Sequence, residues 1–530
     1  MTVGTENRGV EVEPPPREGR DLAWLVDARA ASAPDKTVLV WVPFHGPRRQ
    51  WTAREFSEAT QACAAGLAAR GVRGGQSVLI HLDNCPEFLI AWLACARLGA
   101  KAVTSNTRLA CEELRHIVTG SRAITVITQP RYLGTVMSAA PHAGLVVSTA
   151  SDQGKEPESV PPRAVVPFEA LLGDGRQGGH GRISPWTPCS VQYTSGTTAR
   201  PKGVVWTHAN ALWAAQSGAR VLGLHESDVQ PIYLPLFHTN ALALSYLPML
   251  WAGGTTILLP RFSASRFWDI AAEFRCTTAS VTAFVLRALG SGPDPVEHHF
   301  RLWAAGAGDQ PVAARWGIRL IGWYGSTETV AVCIAGDHAR PGAEGAMGTR
   351  VDGYDLAVRH ADGSAARPGE SGRLWVRARP GAGLFQGYLD DPEATAAAFE
   401  DGWYDTGDEV TESPDGQFFF RGRAKDMLKV GGENVAAVEI ESVISKVDGV
   451  DECAVVGAPD VMLDEVPVAF VVSRRPGPRL TAEIHRACDH ALADFKRPRD
   501  VRFVDDLPKS TLGKVRKSEL RLVLKKEVAE

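Results

Sequence analysis

The sequence predicts an α/β protein, with a large N-terminal body of doubly covered, mostly parallel sheets plus a small β unit, and a small α+β C-terminal domain. Three observations predict it. Between residues 21 and 330, short apolar runs alternate with amphipathic or Ala-rich stretches, the pattern of βαβ units whose helices cover both faces of a parallel sheet. From Gly345 the runs shorten and are punctuated by Asp362-Gly363 and Pro368-Gly369, the signals of antiparallel turns. A basic stretch with two consecutive glycines, 420–434, then precedes a compact mixed set of elements, and 530 residues are too many for one ordinary core. The expected division is a disordered leader at 1–20, a large domain at 21–422, a basic linker at 423–428 and a small domain at 429–530.

The leader is polar, carries Pro14-Pro15-Pro16 and has no apolar signal-peptide segment. The spacing of Leu22, Leu25, Val26 and Ala30 predicts a helix, and 36–42 a strand. Thr52-Ala-Arg-Glu55 has capping-box spacing ahead of a long Ala-rich helix that stops at Gly71. A buried strand at 77–82, a helix at 85–98 and strands at 102–104, 124–127 and 145–147 follow, before a loop-heavy Gly/Pro-rich approach at 151–187. A helix is expected at 208–222, a strand at 232–238, and further βα units through 256–259, 278–282 and 319–323. Strands at 356–359 and 372–377 make the small β unit. The last domain reads as helix 438–446, strands 451–456 and 467–473, helix 481–492, strand 500–503 and a charged terminal helix.

With 61 acidic against 57 Lys and Arg residues, the charge balance argues against a nucleic-acid surface, so any anion binds in a local pocket. Nine dispersed cysteines with no CxxC and no zinc-finger spacing read as reduced thiols of a cytoplasmic protein. No run of eighteen apolar residues occurs, so no membrane span is expected.

The densest chemistry lies in Tyr193-Thr194-Ser195-Gly196-Thr197-Thr198-Ala199-Arg200-Pro201-Lys202-Gly203. Its hydroxyls, glycines and lysine can converge on one anion, from backbone free to bend around it. It is not a Walker A loop, because Pro201 precedes Lys202 and argues against a helix through the segment. Taken by composition alone, it equally fits a solvated surface loop. The other candidates also have plain structural readings. His238 ends an apolar run, and Ala304-Ala-Gly306-Ala307-Gly308 makes either a tight turn or a close backbone approach to a ligand. In Tyr324-Gly325-Ser-Thr327-Glu328 an aromatic face, a hydroxyl and a carboxylate suit a base, an α-phosphate and Mg2+, or else Thr327 and Glu328 open a helix. Asp408 among glycines suits vicinal hydroxyls or an ordinary turn. Lys514 in a basic tail reads first as a solvated charge.

These motifs together, in this order, resemble the ANL superfamily of adenylate-forming enzymes, over roughly residues 21–520. The resemblance implies ATP and Mg2+ as cofactors and coenzyme A as cosubstrate. It makes Thr194 to Thr198 and Lys202 the phosphate clamp, and Gly306, Ala307, Tyr324, Gly325 and Thr327 nucleotide contacts, with Glu328 on Mg2+. Asp408 would bind ribose, Arg423 ribose or phosphate, and Lys425 would make the linker 423–428 the hinge of a mobile small domain. Lys429, Gly431 and Gly432 would carry the CoA-side loop, Lys514 would be the catalytic lysine, and His238 would stand where the acyl carboxylate meets the thiol entrance. Asn106-Thr-Arg108-Leu109 also resembles the superfamily, and Leu234-Pro-Leu-Phe-His238 and Phe262 to Trp268 resemble carnitine/crotonobetaine-type ligases. Ala437 stands where the family commonly has Pro, and Gly348-Thr-Arg350 replaces Gly-Arg-Pro. The expected reaction is adenylation of an aryl or medium-chain carboxylate and transfer to CoA. The alternatives are a ligase-like diazotase acting on nitrite and an aryl amine, and a non-catalytic nucleotide-binding protein. The acyl pocket is expected around 237–242, 282–286 and 304–308, with Ala305 and Ala307 leaving depth.

Overall fold

The computed structural model describes residues 20–150, 152–155, 165–173, 183–194, 201–306, 310–340, 343–423, 427–508 and 515–529. Its largest sheet has eight strands, in the order Gly387–Tyr388, Lys202–Thr207, Pro188–Thr194, Lys101–Thr104, Ser77–His81, Thr125–Thr128, Leu145–Ser148 and Val165–Pro167. The last six run parallel, and Lys202–Thr207 turns back antiparallel on Pro188–Thr194. A second sheet pairs Thr37–Trp41, Val229–Ile232 and Thr255–Leu258 in parallel, with Arg49–Thr52 antiparallel at its edge. The third runs Thr278–Val281, Leu302–Ala305 and Arg319–Tyr324 in parallel and then turns antiparallel. The expected α/β body is therefore present.

Between the sheets, Pro86–Leu98 is buried at every position from Pro86 to Arg97, so it reads as an apolar run all round rather than as an amphipathic stripe. Its one buried cation, Arg97, makes a bidentate pair with Asp27 at 2.9 and 2.5 Å and also reaches Thr60, which ties three helices together. The Thr52–Glu55 capping box opens Ala53–Ala69 as its spacing predicts. The loop-heavy segment contains a strand, Val165–Pro167, and a short helix, Glu169–Leu172, which are too brief to give a periodic signal. All nine cysteines are free thiols.

Asp355–Arg359, Ser371–Arg377, Phe399–Glu400, Trp403–Glu412 and Phe418–Arg423 form the antiparallel β unit. The C-terminal sheet has Glu433–Ala436, Met427–Val430, Asp464–Val472, Glu452–Asp460 and Asp500–Phe503, with helices Ala437–Ile444 and Pro478–Ala491 packed on its own core. Ala437 is the first residue of its helix, a position where proline and a good helix former are both accepted, so that departure from the family leaves the helix start intact. Residues 1–19 of the leader and Lys425, the expected hinge, lie outside the described residues.

The two parts meet through charged groups. Lys496 is 3 % exposed and bonds Glu113 of the large body at 2.6 Å and Glu439 of its own domain at 2.7 Å. Burial pulls its pKa down, yet the two carboxylates outweigh that and hold it raised. Glu113 Oε2 also accepts from the Ala493 amide at 2.9 Å and from Ala110 at its own helix start at 2.8 Å. Arg287–Asp464 and Arg108–Asp494, each 2.8 Å, add to the contact. In the variant Glu113→Ala, hydrogen exchange at the Ala493 amide should rise about tenfold or more while the rest of the small domain keeps its protection, since Lys496–Glu439 stays within it.

Candidate active site

The expected phosphate clamp lies between two paired strands. Thr194 ends one strand and pairs with Lys202, the first residue of the next, and residues 195–200 between them lie outside the described residues. Lys202 is thus presented from a strand start rather than a helix, as Pro201 predicts. Four residues on, Trp206 is fully buried and its indole N–H donates to Thr327 O at 2.8 Å. The clamp and the second motif are therefore bolted together by one hydrogen bond.

That second motif opens no helix. Tyr324 ends the Arg319–Tyr324 strand, Ser326 to Thr329 form a turn, and the chain returns as Ile334–Ala335, antiparallel to it. Gly325 is required by this close return, since a Cβ there would lie 2.6 Å from Ala331 O. Helix capping is thus excluded as the reason for Thr327 and Glu328. Tyr324 OH donates to Asp408 Oδ2 at 2.6 Å, and burial followed by the Asp408 charge pushes this phenol well above its ordinary range, so it stays a donor. Asp408 is buried within the Trp403–Glu412 strand, not in a turn; Gly407, at φ +72°, is absorbed beside an irregularity of the ladder.

At the phosphate end a further tyrosine joins the expected groups. Tyr388 lies on the two-residue strand that pairs with the hairpin, its hydroxyl donating to Glu328 Oε1 at 3.1 Å and its ring 4.8 Å from Lys202 Nζ. Burial and the Glu328 charge raise its pKa, so it too stays protonated. Glu328, Tyr388 and Lys202 form a row.

The expected strand through His238 ends at Ile232. Pro231 is taken up within the Val229–Ile232 strand, but Pro235 has no N–H to carry a ladder onward, and 233–238 is a turn that delivers His238 to the head of a π-helix, Asn240–Tyr246, a widened helix often found at functional sites. Thr239 Oγ1 bonds Gln192 Oε1 at 3.0 Å and lies 3.1 Å from Thr327 Oγ1. His238 Nε2 lies 3.1 Å from Glu433, on the turn made by Gly431 and Gly432 at φ +58° and +88°. Both glycines are left-handed there, as a two-residue hairpin turn demands. Burial lowers the His238 pKa, but the Glu433 charge and hydrogen bond outweigh it and raise it; Glu433 is itself held below its ordinary value by His238, then by Arg108 and Asn106. The site is continuous from Lys202 to Arg108.

The AMP-binding enzyme model matches residues 26–389, and the AMP-binding enzyme C-terminal domain model matches 439–514. The chain belongs to the AMP-binding enzyme family. It is 32 % identical to a crotonobetaine/carnitine–CoA ligase of Salmonella paratyphi B over 530 residues, covering 95 % of this chain and 99 % of that one. A double variant of o-succinylbenzoate CoA synthetase from Bacillus subtilis, bound to a product analogue, superposes with a TM-score of 0.81 at 26 % identity, covering 95 % and 99 %. The same synthetase with AMP gives 0.66 at 25 % identity, covering 95 % and 98 %. The chain is of the AMP-forming acyl-CoA ligase type, ATP-dependent and CoA-using, and nothing in these relatives favours the nitrite-activating alternative.

In this AMP-binding enzyme, the structure brings together Thr194, Lys202, Tyr324, Gly325, Thr327, Glu328, Asp408, His238, Gly431 and Gly432. Gly306 is exposed at the end of the Leu302–Ala305 strand, whereas Ala305 is 1 % exposed and packs into the aromatic cluster of Phe267 and Trp303 rather than giving depth. Ser195, Gly196, Thr197, Thr198, Ala307, Lys425, Lys514 and the Arg423 side chain lie outside the described residues. Sequence reasoning missed Tyr388, Gln192 and Trp206 as site residues, which carry only tertiary information. Thr239 falls within the expected acyl-pocket stretch 237–242 and Glu433 within the loop of Gly431 and Gly432, though neither is singled out by its own chemistry. No helix of the described residues is long and apolar enough to cross a membrane.

Replacing Trp206 with Phe leaves the Thr327 carbonyl unpaired, and should cost about 1–3 kcal/mol in unfolding free energy and raise the KM for ATP with little change in that for the acid. Tyr388→Phe should raise the Mg2+ concentration needed for half-maximal AMP release severalfold, read by titrating Mg2+ at fixed ATP.

Proposed function

We propose that this ligase couples an aryl or medium-chain carboxylate to coenzyme A in two half-reactions at the site just described. The observation that carries this is the joining of Thr327, Thr239, His238 and Glu433, which links the nucleotide-side turn of the large body to the glycine turn of the small domain. In the first half-reaction a carboxylate oxygen attacks the α-phosphorus of ATP and pyrophosphate leaves. Lys202 and the clamp hydroxyls hold the leaving group, Thr327 donates to the α-phosphate, Asp408 grips the ribose and Tyr324 lies against the base. Lys514 would bridge carboxylate and phosphate in this step.

Glu328 fits Mg2+ by its donor chemistry: one carboxylate beside the phosphate hairpin, with one oxygen steadied by Tyr388, is what an ion that otherwise keeps phosphate oxygens and water requires. When bound, Mg2+ neutralises phosphate charge. Lys202, fixed over the Tyr388 ring, supplies its positive charge from the neighbouring position.

In the second half-reaction the CoA thiol attacks the acyl carbon and AMP leaves. A cleft of about 390 Å3 between the domains is lined by Arg108, His490, Asp494 and Arg497, and Arg108 also acts on Glu433 beside His238. Two guanidiniums at the mouth suit the phosphates of CoA, with its narrow arm passing the Gly431-Gly432 turn. The higher TM-score against the synthetase holding a CoA product analogue than against the same enzyme with AMP supports reading this arrangement as the thioester-forming one. His238, its pKa raised by Glu433, is biased towards the charged form and so towards offering positive charge to incoming anions rather than acting as a base. Rotation about Lys425 would exchange Glu433 for Lys514.

Product analysis tests this: AMP release should depend on a carboxylate, and thioester should appear only with CoA. AMP release that requires nitrite and an aryl amine but ignores CoA would overturn it. Lys514→Ala should lower AMP formation by about a hundredfold or more. The pH profile carries its own sign. His238 has a pKa raised above 6.5, so its pairing with Glu433 is fully present below 6.5 and is lost as pH rises through the raised value; on the acid side it is lost as pH falls through the depressed Glu433 value, below 4.5. Glu433→Gln should therefore slow thioester formation most within that window, its rate converging on the wild type's as pH climbs past the His238 pKa.

A further inference from the structure

Gln192 lies two residues before Thr194 on the Pro188–Thr194 strand, so both side chains leave the same face of the sheet. The residue is 2 % exposed. One end of its amide is held, because Thr239 Oγ1 donates to Gln192 Oε1 at 3.0 Å, and the same hydroxyl lies 3.1 Å from Thr327 Oγ1. The other end, Nε2, is buried without a hydrogen-bond partner among the described residues. An unpaired buried amide is costly, whereas Leu or Met would fill a buried strand position with no polar debt to satisfy. A hydroxyl has one proton: with Thr239 giving its own to Gln192 Oε1, its contact with Thr327 is a hydrogen bond only when Thr327 is the donor, and Nε2 is the end of the amide left to meet a ligand.

The ligand group that must come within reach of Thr327 and His238 together is the reacting carboxyl carbon with its two oxygens. We propose that Gln192 is a substrate-binding residue whose Nε2–H donates to the acyl oxygen that does not attack phosphorus, first in the carboxylate and then in the acyl-adenylate. This rests on the two-step reading of the site. A neutral donor fits the task, since it orients the carboxylate without quenching the charge that makes the other oxygen a nucleophile; a cation here would stabilise the ground state instead.

The test compares ligands with and without that oxygen. The N-benzoyl and N-hexanoyl forms of 5′-O-sulfamoyladenosine carry the carbonyl, and their N-benzyl and N-hexyl counterparts lack it. For the pair that wild type binds more tightly, the preference for the carbonyl form should shrink about tenfold in Gln192→Met, while AMP affinity changes less than about twofold. An equal loss for both members of the pair, with their ratio unchanged, would overturn the proposal. A wild-type protein that binds no acyl probe better than AMP would instead sink the adenylate reading, and the inference with it. Gln192→Glu gives a second readout that does not depend on a volume change: it retains an acceptor for Thr239 but sets a negative charge against the carboxylate. The KM for benzoate or hexanoate should rise at least about tenfold and the KM for ATP stay near wild type; a rise in both alike would count against the assignment.

Discussion

Everything in this site hangs from one strand pairing, Thr194 opposite Lys202, at the point where a parallel sheet turns antiparallel. The parallel strands from Val165–Pro167 to Pro188–Thr194 present their ends to one side, as open α/β sheets do where they bind ligands. The return strand then fixes the lysine, carries Trp206 to the Thr327 carbonyl, and offers its free edge to the two-residue strand that bears Tyr388. A slip of one residue in this register would turn Trp206 and Lys202 to the opposite face and separate all three contacts at once. The unusual placing of a proline before the lysine is thus not a defect of a Walker-like loop. It is what a hairpin clamp requires.

Where the hairpin supplies rigidity, the domain boundary supplies charges that can be exchanged. Lys496 keeps Glu439 as an internal partner whichever way the small domain faces, so release from Glu113 does not strand an unpaired buried cation. Glu113 in turn keeps its own helix start to cap. Such groups allow an interface to be specific without being permanent. The Gly431-Gly432 turn answers the same need at the chemical centre, since it brings Glu433 to His238 on backbone with no side chain to obstruct a narrow ligand.

Features written in contiguous residues were legible in the sequence. The capping box at Thr52, the βα alternation, the antiparallel unit after Gly345 and the glycine turn before Glu433 all depend on neighbours in the chain, and each formed where its local chemistry requires. The errors share a cause. The apolar run to His238 resembled a strand because hydrophobicity outweighed Pro235, and the open alternative of a turn at Asp408 came from Gly407, visible in the sequence while the ladder that absorbs it was not. Tyr388 and Gln192 left no local trace at all. Their roles come from which strand lies beside which, and a tyrosine four residues after Leu384 in sequence gives no hint that it will stand between a lysine and a glutamate from two other elements.

The central claim is that one site serves two chemistries that draw on different residues of the small domain. The most direct measurement supplies the Lys514→Ala variant with preformed acyl-adenylate and CoA and follows thioester by rapid quench. The account predicts thioester at a rate within about threefold of wild type, from a protein that no longer makes the adenylate from ATP. Loss of both half-reactions together, or retention of both, would contradict it.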